Sequence, residues 1–234
     1  MNSTLAGSRP WFPTAIGLAV TGIVIAGFSR TYYFKAFFDT RPLTARLHLH
    51  GFFLSAWLVL FLVQTLLIAS HRRRLHMRLG IAGAVLAALA VITTYAAAFE
   101  SAAHAAVQNA PMAISRLYSS VELAALFGLF VAAGIVFRRR PEIHKRLMVL
   151  AMLAVVGPGA HRAVALIAGS AAPHSHVVVI AVLLAGCLLY DWRTRGIPHP
   201  LLLWGGAVLI ALQWSRRLVG GSELWQKLGS WLIS

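Results

Sequence analysis

From Gly51 to Ser70 the chain reads GFFLSAWLVLFLVQTLLIAS, without a single acidic or basic residue. A helix of about 20 apolar residues spans the hydrocarbon core of a bilayer, and this run has that length. The rest of the chain follows suit. Of its 234 residues 59% are hydrophobic and 12% charged, with a mean hydropathy of +0.76. A soluble domain carries about 25% charged residues. The expectation is therefore an all-α, polytopic membrane helix bundle, with residues 1–234 forming a single transmembrane domain.

Seven spans are expected, at Trp11–Phe28, Leu47–Ala69, Met77–Phe99, Leu117–Phe137, Leu147–Ala168, Val177–Tyr190 and Leu201–Trp214. The closing SELWQKLGSWLIS places Leu224, Trp225, Leu228, Trp231 and Leu232 at helical spacing. It is too short to span, so it reads as an interfacial helix. The basic residues assign the sides. Arg9, Arg72, Arg73, Arg74, Arg78, Arg138, Arg139, Arg140, Lys145, Arg146, Arg193 and Arg195 fall on one side, twelve in all; Arg30, Lys35, Arg41, Arg46, Arg116, Arg216, Arg217 and Lys227 make eight on the other. The positive-inside rule puts the twelve, and the N-terminus, in the cytoplasm of a cell whose inner (plasma) membrane holds the chain. A cleaved signal peptide is the other reading of the first span, but its apolar stretch is long and no small-x-small site follows. The net charge of +15 lies in short clusters between apolar runs. Such clusters serve as anchors on anionic cytoplasmic headgroups and not as a nucleic-acid surface. One cysteine, Cys187, lies within an apolar run. That excludes a disulfide framework, a thiolate cluster and covalent haem attachment.

On this topology His48, His50, His104, His161, His174 and His176 gather toward the outer face, with Glu100 and Glu122. Ionisable groups within a membrane are costly and usually face the bundle interior or a wet cavity. Glu100 and His104 are four residues apart and share a face of any continued helix. His48 and His50 point roughly oppositely on a helix, and His50 shares its stripe with Trp57, Phe61 and Gln64. His50 is thus expected to face inward and His48 the headgroups. Glu122 needs a partner, expected in Arg162, Arg116 or a bound cation. Gly157-Pro158-Gly159 should bend or open the fifth span just before His161 and Arg162.

HGFFLSAWLVLFLVQ from His50, HMRLG at His76–Gly80, HKRLM at His144–Met148 and HR at His161–Arg162 follow one another in that order. With these the stretch Leu47–Arg162 resembles a widespread bacterial family of predicted multi-pass membrane proteins of unknown function. Its members carry a His-led helix ending in Gln, a His-Arg-x-x-Gly helix start, a later His-Arg-x-x-Met start and a downstream Arg. Met77 and Lys145 stand here where that family has Arg. The resemblance implies architecture and a choice of positions, not an activity. The chain is also similar, over less of its pattern, to small di-haem membrane cytochromes of the b561 kind. That similarity implies haem b held by His50, His161, His76 and His144, one haem near each face. The fourth span has no histidine, which breaks the usual alternation of ligands. His76 and His144 adjoin arginine clusters, where headgroup contact also accounts for them.

Two classes of function follow. The first is a haem- or metal-binding redox protein, with haem, copper, iron or zinc on imidazole. His50 and His161 are its expected outer pair; Glu100, His104, Glu122, His174 and His176 would enlarge that pair into a non-haem site. The two Glu-x-x-His repeats of four-helix di-iron proteins are missing. A quinone or a redox partner protein is what such a bundle would exchange electrons with, and no residue singles out either. The second class is non-redox and needs no cofactor: a transporter, a proton-linked sensor or a small subunit of a larger complex. No nucleophile elbow, Walker loop, His-Glu-x-x-His or dinucleotide fingerprint occurs. The last span has no lysine for a retinal Schiff base.

Overall fold

The computed structural model describes residues 11–233; Arg9, counted above with the cytoplasmic set, lies outside them. Among the described residues the chain is all-helical, without strands: α1 Phe12–Phe28, α2 Ala45–Ala69, α3 Arg73–Val136, α4 Pro141–Val155, α5 Gly157–Ala168, α6 Ser175–Arg195, α7 Pro200–Gly220 and α8 Glu223–Ile233. Local chemistry sets several of these ends. The Thr44 hydroxyl accepts from the Leu47 amide to cap α2. Prolines 13, 141 and 200 occupy first turns, where a missing N–H costs nothing. Gly169 and Gly196 take the left-handed conformation that ends α5 and α6. By length and composition, α1 with the turn after it, α2, α3 and α6 are long and apolar enough to cross a membrane, and the bent pair α4–α5 makes a fifth such span. Large apolar side chains such as Leu18, Val59, Ile92, Leu129 and Val182 project outward from these helices, which is compatible with a membrane protein.

The expected break between the third and fourth spans differs in kind. No open loop separates Phe99 from Leu117. Helix runs through it, and α3 is two arms meeting at Asn109, whose backbone leaves the helical region at φ −154°, ψ 88°. The Asn109 side chain accepts from the Met112 amide at 3.0 Å, and Pro111 follows in the first turn. Asn109 thus caps the second arm. Gly128 on the second arm faces Val91 on the first, at nearly equal distances in sequence from Asn109. The arms therefore lie antiparallel, as a helical hairpin. The first arm is about 50 Å long at 1.5 Å per residue, longer than a bilayer core of about 30 Å. Its far end, from Ala103 to Ala110, is mostly exposed.

α4 is the central helix. Leu147, Val149 and every residue from Leu150 to Val156 are buried. A helix apolar on all sides must be surrounded, and α3, α7 and α1 surround it. The chain then bends by 48° between α4 and α5, at the expected Gly-Pro-Gly. The bend brings α5 onto α1 at backbone contact, where a Cβ on Gly27 would collide with the Gly159 carbonyl. Small residues permit such approaches. One assignment is corrected here. Arg146, read as a headgroup anchor, is buried; its Nε and Nη2 donate to both Asp191 carboxylate oxygens at 2.9 and 2.6 Å. It lies one turn into α4, on the face that packs against α6, so it turns inward while Lys145 stays at the rim.

Candidate functional site

The bend brings the Gly157 backbone beside polar groups of α6 and α7 at the end of the bundle read as outer. A Cβ on Gly157 would stand 3.1 Å from the Gln213 amide oxygen, with His176 and Arg216 just beyond. Glycine here leaves the turn of backbone in reach of polar groups from α6 and α7. Arg216 donates through Nε to Glu122 at 2.5 Å, and both residues are buried. This corrects the expected partner of Glu122: it is neither Arg162 nor Arg116. The expected last span ends at Trp214 and leaves Arg216 outside it, yet α7 continues to Gly220. The buried face of α7 is Leu202, Gly206, Leu209, Gln213, Arg216 and Gly220, a strict helical stripe. That spacing was the signal that Gln213 and Arg216 face inward.

Histidines complete the cluster. His161 Nδ1 is hydrogen-bonded to the buried Ser175 hydroxyl at 3.0 Å. Its ring lies 6.2 Å from that of His176, centre to centre, and nearly perpendicular to it. His174 stacks on Trp214 at 4.3 Å. Several buried atoms here have no hydrogen-bond partner in the protein: Glu122 Oε1, His174 Nδ1, His176 Nε2, both Gln213 side-chain heteroatoms and Arg216 Nη2. Buried polar groups are ordinarily satisfied, and unpaired ones cost about 1–3 kcal/mol each. Their concentration about one helix break makes this the candidate site.

A second pair forms at the opposite end. The His76 and His144 rings are 6.2 Å apart and again nearly perpendicular. His144 Nδ1 donates to the Gly134 carbonyl at 2.8 Å, which leaves Nε2 as the free acceptor. His76 Nδ1 and the Gln64 amide oxygen are buried without partners. The short motifs starting at His50, His76 and His144 thus send Gln64, His76 and His144 toward one end of the bundle.

The remaining candidates lie apart from these pairs. His50 is half-buried and hydrogen-bonded through Nδ1 to Thr94 at 3.1 Å, while His48 is exposed. His161 turns to α6, whereas its neighbour Arg162 shares an open cleft with His50. Glu100 accepts from Thr44 at 3.0 Å, and exposed His104 donates to the Glu100 carbonyl at 2.8 Å. Among the described residues no three of His, Cys, Asp and Glu gather closely enough to hold a metal ion by themselves. Outside the helices, His199 caps α7 by accepting from the Leu201 amide. Burial, with Arg146 and Arg195 near it, holds its imidazole below the ordinary range.

No family model, no curated protein and no solved structure matches this chain.

Proposed function

We propose that the chain is an integral membrane protein of the bacterial multi-pass family it resembles, crossing the bilayer seven times from a cytoplasmic N-terminus. In this reading the antiparallel arms of α3, the bent α4–α5 and α7 supply the crossings beyond α1, α2 and α6. The function is transfer of electrons through haem iron held by paired histidines, His161 with His176 near the outer face and His76 with His144 near the inner. One observation carries it: two imidazole pairs, one toward each end, with the same ring separation. Each pair would offer the two imidazole nitrogens that a haem iron takes from a protein, and both pairs have rings 6.2 Å apart. Haem supplies the iron's other four nitrogens and needs only two protein ligands, which suits pairs better than the triads of non-haem sites. Anchoring one ring nitrogen, as Gly134 does for His144 and Ser175 for His161, is how proteins orient a ligating imidazole. Unpaired Arg216 Nη2 and Gln213 Nε2 are donors of the kind a carboxylate edge accepts. Bound haem would supply one-electron chemistry; the chain's part is to hold two such groups at opposite ends of one bundle.

The test is content. Protein purified from cells supplied with haem precursors should show a Soret band, reduced by His161→Ala, His176→Ala, His76→Ala or His144→Ala and kept in His48→Ala. Loss in His161→Ala with retention in His50→Ala would separate this pairing from His50 with His161. A colourless, metal-free protein ends the redox reading. The non-redox alternative, a transporter or proton-linked sensor, draws on a different observation: the Glu122–Arg216 pair and its unpaired neighbours at a broken helix, the setting in which polar paths cross membranes.

Orientation has its own check. Cysteine labelling from outside intact cells should reach Ser170→Cys and miss Arg139→Cys, in each case in a background lacking Cys187. Labelling of Arg139→Cys reverses the topology and exchanges the two faces.

A further inference from the structure

At the end read as outer, an open cleft of about 350 Å³ lies between α1, α2, α5 and the segment Thr31–Leu43. Its walls are of two kinds. Val24, Phe28, Leu47 and Leu54 make an apolar floor, and Arg41 and Arg162 line the cleft beside it, the Arg162 guanidinium over Phe28. Among the described residues no acidic side chain lines it. Glu100, the carboxylate at this end of α3, accepts from Thr44. Arg162 makes a long hydrogen bond of 3.3 Å to the Thr31 hydroxyl and lies 4.7 Å over the Phe28 ring. These contacts hold the guanidinium against an aromatic face while leaving its charge uncompensated. Thr94 donates its hydroxyl proton to Ala90 at 2.6 Å, so His50 donates to Thr94 and keeps Nε2 as an acceptor.

The geometry points to a binding site for an anionic phospholipid, its phosphate on Arg41 and Arg162 and an acyl chain on the apolar floor. Three features of the cleft select this occupant. Two guanidinium groups without a carboxylate partner among the described residues match a phosphate, which arginine recognises in its fork geometry. The floor is too apolar for a free anion alone. The cleft opens at a bundle end, where headgroups lie. The acceptor on His50 adds a preference for a headgroup that carries a hydroxyl. The site rests on the bundle's standing in a bilayer and not on the haem reading; a colourless protein would leave it intact.

The experiment uses the full chain in detergent micelles, titrated with fluorescent phosphatidylglycerol, with phosphatidylcholine as the zwitterionic control and inorganic phosphate as competitor. Phosphatidylglycerol should bind at least tenfold more tightly than phosphatidylcholine. Arg162→Gln with Arg41→Gln should erase that preference, and Arg116→Gln, on an exposed residue away from the cleft, should keep it. Phosphate at millimolar concentration should displace little. Equal binding of the two lipids by the wild-type chain overturns the site, and that comparison needs no variant to fold. So does an unchanged preference in the double variant, and so does displacement by phosphate alone, which would mean a free-anion site.

Discussion

Arg146→Ala is expected to cost about 3–5 kcal/mol of stability, the loss that follows when one member of a buried ion pair is removed. The Arg146–Asp191 pair joins α4, α6 and the residue ahead of α7. Two of the arginine's nitrogens grip the Asp191 carboxylate on α6, and Nη1 donates to both the backbone and the side chain of Glu142 at 2.7 Å. Asp191 in turn accepts from the His199 amide ahead of α7 at 3.2 Å. Alanine would leave a carboxylate only 6% exposed with that single amide for a partner. Arg146→Lys should recover part of the loss, because a lysine keeps the charge but not the two parallel hydrogen bonds. Asp191→Asn should be milder than Arg146→Ala, since it leaves a neutral amide and a cation still paired with Glu142. Reversible unfolding in mixed micelles measures all three. An Arg146→Ala protein within about 1 kcal/mol of wild type, the scale of a surface pair, would mean that the pair is solvated and the packing of α4 on α6 is looser than described.

Arg146 also shows where a sequence reading stops. Long uncharged runs fix helices and their surroundings, because backbone and side chains face the same apolar medium over a whole span. The bend at Gly157-Pro158-Gly159 was legible for an equally local reason: proline removes a donor and clashes with the preceding turn. Charge clusters carry less information. Arg138, Arg139, Arg140, Lys145 and Arg146 look alike along the chain, and only the rotation of α4 against α6 distinguishes the buried member. The hairpin tip is less legible: the polar and small residues between Phe99 and Leu117 end the apolar runs, yet alanine-rich segments are strong helix formers and helix continues through them to Asn109. Asn109 followed closely by Pro111 was the usable signal, a cap with a first-turn proline. Among the histidines, the cytochrome resemblance put His76 and His144 near one face, but the expected outer pair was His50 with His161, and His176 was not named as the neighbour of His161. His161 meets His176 because the bend swings α5 toward α6, and His76 meets His144 because α3 folds back at Asn109. The His161–His176 contact depends on tertiary geometry that no spacing in the sequence encodes.

The second large effect is expected at the opposite ion pair. Arg216→Ala should destabilise by about 3–5 kcal/mol, because Glu122, 7% exposed at its side chain, would keep a charge with no counter-ion. The informative variant is the double one. Glu122→Leu with Arg216→Met replaces both charges by apolar groups of similar bulk, and a buried pair replaced in this way is often neutral or even stabilised. The coupling between the two sites should therefore exceed about 2 kcal/mol, within the range for groups in direct contact. The neighbours decide how much is recovered. Gln213 and His176 also carry unpaired polar atoms, so an apolar pair would leave them no better satisfied. The double variant should fold but fall short of wild type if the pair serves them as a scaffold. Whichever function the cluster serves, haem edge or polar path, the double variant should lose it while the helices persist. Strictly additive losses in the two single variants would show that Glu122 and Arg216 do not hold each other, and the cluster around Gly157 would then lack its central contact.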